Sequence, residues 1–234
     1  MYLSPLTDPR AASGLGGQFY GVYPATVVDL ADPEGQGRVR VRLPLSPDPG
    51  DDGFEAWARI ASFMAGADRG AWFQPDVDDE VLVAFEAGNP RRPYVLAGLW
   101  NGRDAPPQAM DNASDNHVKV LASRSGVRIT MDDSPGAEKY RVETPGGHSI
   151  DMDDSGLSIT ITDSNNNTIT MGSDGISISA SAKVSVDAGT VEVSAGSVTV
   201  NAGMSRFNGT ISCDTIIATS VVGTSYTPGA GNIW

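Results

Sequence analysis

Val184-Ser185-Val186-Asp187-Ala188-Gly189-Thr190, Val191-Glu192-Val193-Ser194-Ala195-Gly196-Ser197 and Val198-Thr199-Val200-Asn201-Ala202-Gly203-Met204 follow one another without a break. A period of seven first suggests a coiled coil. That reading fails because the apolar pair occupies positions one and three of each unit, both members are β-branched, and a glycine follows every time. Alternation over three residues and then a glycine corner describes a short strand ending in a bend. One strand and one corner are too little for a three-sided coil. Three chains winding about a common axis solve this, each giving a strand to every face in turn so that no lateral edge stays open. The interior is then Val184, Val186, Val191, Val193, Val198 and Val200 against their copies, each worth at most about 1.5–3 kcal/mol when buried. A single-chain parallel β-helix is the alternative, and it usually needs longer coils.

Working outward, no proline interrupts the chain between Pro145 and Pro228, as expected where backbone N–H groups serve in ladders. The only Lys or Arg residues after His148 are Lys183 and Arg206, so few charges guard the strand edges, a hazard for a lone chain. Upstream, alternating runs at Arg128–Met131, His148–Met152, Leu157–Thr162, Thr168–Met171 and Ile176–Ser179 are separated by turn chemistry such as Asp132-Asp133-Ser134-Pro135-Gly136 and Asp153-Asp154-Ser155-Gly156. From Asn101 to Asn116 a cluster of Pro, Asn, Asp and Ser marks a connection between domains. Before it lie five strand candidates, Phe19–Leu30, Gly37–Leu45, Phe54–Ser62, Asp79–Glu86 and Tyr94–Trp100, which suit a small barrel of OB type. Phe63 to Pro75 reads as a loop.

Composition agrees with an all-β class: 40% of the 234 residues are hydrophobic but only 7% aromatic, with 27 glycines and 15 prolines. A formal net charge of -13 counts against binding to nucleic acid or to anionic membranes. The single cysteine, Cys213, has no partner for an internal bridge and lies in the strand-like stretch Thr210 to Ile217, where a buried thiol is expected. Met1 to Gly17 has no apolar run, so neither a signal peptide nor a membrane span is expected there, and synthesis in the cytoplasm follows.

Several blocks carry a family resemblance. Gly21-Val22-Tyr23-Pro24-Ala25-Thr26-Val27, Asp32-Pro33, Gly37 to Pro44, Trp57-Ala58-Arg59-Ile60-Ala61, Val77 to Glu86, and Gly88-Asn89-Pro90 through Trp100-Asn101-Gly102 together resemble the OB domain of VgrG and phage baseplate assembly protein V spikes. The resemblance continues through Ser123-Arg124-Ser125-Gly126 and Asp132-Asp133. It implies an OB-fold barrel followed by an intertwined trimeric β-helix, a triangular β-prism. The expected layout is a leader at 1–18, the OB domain at 19–102, a neck at 103–117, and a spike with its tip at 118–234. It also implies a structural role in a contractile injection system: a homotrimer in the baseplate of a phage tail or injection particle that a contracting sheath drives through an envelope. A separate hub protein is expected at the OB end. Asp78 stands where the family often has Gly, and Val127-Arg128 where Gly-His is common.

There is no Gly-x-Ser-x-Gly elbow, His117 and His148 lack a His-x-His spacing, and the acidic clusters lack the calcium-loop pattern, so no catalytic residue, metal or cofactor is expected. The end, Gly223 to Trp234, reads as a blunt platform, and the resemblance implies a separate PAAR-type cap there, with Tyr226, Pro228, Ile233 and Trp234 as the expected contact residues. Two other functions compete. An OB-fold nucleic-acid binder would use Arg38, Arg40 and Arg42, which alternate on one strand face; a β-helix enzyme acting on polysaccharide would need a recurring acid–base pair, and the exposed repeat positions have none.

Overall fold

Val39-Arg40-Val41-Arg42-Leu43 sends three aliphatic side chains to one side and two arginines to the other, which a strand in a closed barrel requires. The chain divides into two units, Met1–Lys183 and Val184–Trp234. The computed structural model describes residues 18–44, 53–111 and 115–225. In the first unit β1 (Val22–Asp29), β2 (Val39–Leu43), β3 (Phe54–Ile60), β6 (Glu80–Phe85) and β7 (Pro93–Gly98) close in the order β1-β2-β3-β7-β6. Pairing is antiparallel throughout except between β3 and β7. All five expected strands are present, with ends displaced by a few residues.

Val27, Val39, Val41, Leu43, Ala58, Val81 and Val83 are fully buried inside this barrel. Phe19, Tyr23 and Phe85 gather beside them, with ring centroids 5.1–5.8 Å apart. Burial of this kind is the main source of the barrel's stability. The segment expected as a loop after Ser62 contains a minimal two-stranded ribbon, β4 (Ala65–Gly66) and β5 (Arg69–Gly70). Asp78 has a left-handed backbone with φ of 75°. It is held there by its N–H donating to the Val27 carbonyl at 2.8 Å and by its own carbonyl accepting from Arg103 Nη2 at 2.6 Å.

After β7, seven strands form one sheet: β8 (Val118–Ala122), β9 (Arg128–Asp132), β10 (Lys139–Glu143), β11 (Ser149–Asp153), β12 (Ser158–Thr162), β13 (Thr168–Gly172) and β14 (Gly175–Ser179). Each pairs antiparallel with the next. The expected runs are all strands, and β8 and β10 are additional. One feature differs from expectation. The sequence reading gave the edges of strands from His148 onward to sister chains, whereas up to Ser179 each strand pairs with its own neighbours in the chain. The turns explain this, because each supplies the hydrogen bonds of a reversal. The Asp153 carboxylate accepts from the Gly156 N–H at 2.9 Å, and the Asp163 carboxylate accepts from the Asn165 and Asn167 N–H groups at 2.8 and 2.9 Å.

The second unit contrasts with this. From Val184 to Ser225 the described residues contain no strand, and all of them are exposed in the single chain.

Candidate functional site

Direct cross-strand partners point to the same face of a sheet, so the register fixes which side chains line up. Leu121, Ile129, Val142, Ile150, Ile161, Ile169 and Ile178 form one continuous row across all seven strands. Beside it runs a second row, Lys119, Met131, Tyr140, Met152, Ile159, Met171 and Ile176. One cation heads fourteen positions that are otherwise apolar. In the isolated chain ten of these side chains are exposed, with Leu121 at 53%, Ile178 at 60% and Ile176 at 72%, while Ile129, Val142, Ile159 and Met171 are half-buried. Contiguous apolar surface on this scale marks a contact face, because scattered surface hydrophobics do not align in unbroken rows.

The opposite face is polar from β9 onward. Lys139 pairs with Asp153 at 2.8 Å, and Arg141 with Asp151 at 3.3 Å and Glu143 at 2.9 Å. Ser158, Thr160, Thr162, Thr168, Thr170, Ser177 and Ser179 continue it. The Lys139 ammonium beside Asp153 holds that carboxyl well below the usual carboxylate range, with help from the Ser155 hydroxyl and the Gly156 N–H. Asp132 and Asp163 are lowered too, chiefly by the side chains of Ser134 and Asn167 respectively. The sheet is therefore strongly amphipathic, and only its polar face is suited to water.

The six repeat valines expected at a trimer core are between 57% and 71% exposed in the single chain. Cys213, expected to be buried, is also exposed here. The proposed tip residues Tyr226, Pro228, Ile233 and Trp234 lie outside the described residues. The apolar rows of the sheet were missed from sequence. The available signal was the pair motif itself: Ile129-x-Met131, Ile150-x-Met152, Ile159-x-Ile161, Ile169-x-Met171 and Ile176-x-Ile178 have the same form as Val184-x-Val186.

The Arg38, Arg40 and Arg42 face offers little to a phosphate backbone, because these three arginines are engaged within the chain. Arg38 reaches Asp32 at 2.6 Å and Glu34 at 3.2 Å, Arg40 reaches Asp29 at 3.1 Å, and Arg42 reaches Glu55 at 2.6 Å. The Arg38 guanidinium also keeps the Asp32 carboxyl far below its ordinary range. Trp57, the aromatic that could stack on a base, instead has Arg38 and Arg40 over its ring at 5.9 and 5.8 Å. Among the described residues no group of three or more His, Cys, Asp or Glu is arranged to hold a metal, and no helix is long and apolar enough to cross a membrane. His148 has a local role, its Nδ1 accepting from the Ser164 N–H at 3.3 Å.

Comparison with known proteins places matches on both parts of this architecture. Residues 23–100, which contain the barrel strands almost entirely, match the type VI secretion system/phage-baseplate injector OB domain. Residues 139–205, which run from β10 through the valine repeat, match the phage baseplate V C-terminal trimerisation domain. The chain is 27% identical over 124 residues to the type VI secretion system spike protein VgrG1b of Pseudomonas aeruginosa, covering 50% of this chain and 17% of that protein. It is 32% identical over 111 residues to VgrG4b of the same organism (45% and 14%), and 26% identical over 107 residues to VgrG3 of Vibrio cholerae (44% and 10%). The matched stretches thus span less than a fifth of these relatives' own length. Because the two domain matches together cover more than half of the sequence and fall on the barrel and on the amphipathic sheet with its repeat, the chain belongs to the family of type VI secretion and phage-baseplate V spike proteins.

Proposed function

We propose that this chain is a structural subunit of the homotrimeric central spike of a contractile injection baseplate, with no catalytic role. The observation that carries the reading is the unbroken pair of apolar rows across β8–β14, continued in sequence by the valine pairs. Three such sheets, packed apolar face inward, remove that surface from water and leave the Ser, Thr and charged face outside. From Val184 to Ser225, where the described residues form no ladder in the single chain, Val184, Val186, Val191, Val193, Val198 and Val200 would pack on their copies while the backbones pair between chains. A barrel at 19–102, a neck at 103–117 and a spike at 118–234 is the corresponding division. The match to a trimerisation domain supports three copies.

The finer parts of the reading rest on the likeness to spike proteins. The chain is made in the cytoplasm, joins a baseplate through a separate hub protein at the barrel end, and is driven through the target envelope on contraction. A PAAR-type cap sits on Tyr226, Pro228, Ile233 and Trp234. Light scattering on the purified chain tests the core of the proposal, and a mass of three chains is expected. A stable, folded single copy would overturn it. Co-purification with the cognate cap, lost on truncation after Gly223, tests the tip.

A further inference from the structure

Between β3 and β6 the chain leaves the barrel as an arm built around β4 and β5. The arm is poorly self-supporting, since its ribbon pairs only Ala65 with Gly70 and Gly66 with Arg69. It nevertheless carries Phe63, Met64, Trp72 and Phe73, which are 88%, 52%, 73% and 69% exposed. Trp72 lies across Gly37, where a Cβ would stand 2.8 Å from the indole ring and where φ is +70°, so a glycine is needed there on both counts. A groove of about 850 Å³ runs between the arm and the barrel wall, with Ile60 and Leu96 among its apolar lining and Arg59, Asp68 and Arg69 as charged groups.

The root of the arm is fastened to the sheet. Asp76 pairs with Arg124 of the β8–β9 turn at 2.9 Å, and Arg103 donates to the Asp78 carbonyl at 2.6 Å. That turn joins the two strands whose Leu121 and Ile129 begin the apolar row. The root of the arm therefore lies beside the turn from which the apolar row starts. A closed ring of three also demands unlike surfaces that meet head to tail, and a projecting arm and a groove carrying both signs of charge supply such a pair on one chain.

We propose that the arm of each barrel packs on the adjacent copy of this chain, burying Phe63, Trp72 and Phe73 in a second contact between subunits at the level of the barrel. This rests on the trimeric reading, and the two are separable by experiment. Hydroxyl-radical footprinting of the full-length protein, read at Trp72 by mass spectrometry, is run on a sample whose mass in solution is measured alongside. The expected result is three chains, with Trp72 oxidised several-fold more slowly than in the denatured chain. Three chains with Trp72 as reactive as in the denatured chain would overturn the arm contact and leave the trimer standing. A single chain would overturn both.

A cover supplied by the arm's own chain is distinguished with Ile161→Glu, designed to open the trimer. Trp72 should then become reactive while Phe19, Tyr23 and Phe85 stay protected, reporting an intact barrel. Persistent protection of Trp72 in the dissociated variant would sink the proposal. If that variant fails to fold, Phe63→Ser/Phe73→Ser in the otherwise unchanged chain provides the second measurement. A lower barrel melting temperature in a persisting trimer is expected, and an unchanged melting curve would count against the contact.

Discussion

The sheet of β8–β14 and the run from Val184 to Val200 are written in the same code, two apolar residues with a polar one between, yet only the first pairs with itself. Spacing alone does not explain the difference. Ile169 to Ile176 is the same seven-residue step as Val184 to Val191, and the former closes a hairpin in which Met171 faces Ile176 and Gly172 faces Gly175. What differs is the corner. Gly175 is left-handed with φ of 114°, whereas Gly189, Gly196 and Gly203 are not left-handed, and a Cβ added to any of these three would meet nothing within the chain. Ala-Gly also lacks the leading Asn, Asp or Gly that the tight two-residue hairpin turns favour. Turn chemistry thus separates the stretch whose strands pair within the chain from the stretch that forms no strand within it.

The largest effect should come from charging the shared face. Ile161→Glu places a carboxylate in the middle of the apolar row, where burial without a partner is strongly unfavourable. Loss of the three-chain mass is expected, and a variant that stays trimeric with an unchanged melting temperature would break the comparison at its root. A smaller effect is expected from Ala188→Asn, which creates an Asn-Gly corner inside the repeat. It should favour a hairpin within one chain between the first and second valine pairs and lower the melting temperature of the trimer, without affecting the barrel. No change would mean that the corners do not set the choice of partner.

The smallest effect concerns the polar face. Asp153 titrates lower in the folded sheet than in the unfolded chain, so its contribution is fully present above the unfolded value of about 3.9 and is lost as the pH falls through the folded value. Asp153→Asn should therefore cost a little stability at neutral pH and flatten the acid limb of the stability curve. An acid limb identical to that of the parent chain would show that the Lys139–Asp153 rung does not stabilise the sheet.

The barrel was legible because strands such as Val39 to Leu43 alternate cleanly between punctuating turns. β8 was not, since its pattern runs backwards: Lys119 stands on the apolar face, and Val118 and Val120 share the other with Arg128, Thr130 and Asp132 of β9. β10 hides for a different reason, its Tyr140 and Val142 being flanked by Lys139, Arg141 and Glu143. Alternation reports which face a side chain joins but not which strand lies alongside, so the pairing within one chain could not be read from it. The apolar rows escaped notice because turns of unequal length make Ile129, Ile150, Ile159 and Ile169 recur irregularly. Cys213, expected buried in a strand, lies in no strand of the single chain and is exposed like the other described residues from Val184 to Ser225. The arm after Ser62 has no alternation at all, and only the folded barrel reveals its uncovered aromatics.

The hydroxyl and carboxylate skin of β10–β14 has a mechanical implication for the proposed spike. Lipid tails gain nothing by lying against Ser, Thr and Asp, and such groups lose hydration when they enter hydrocarbon. A shaft clad in them would not lodge in a bilayer as an anchored protein does. Its passage would depend on the push behind it, and the hole would tend to close once that push ended.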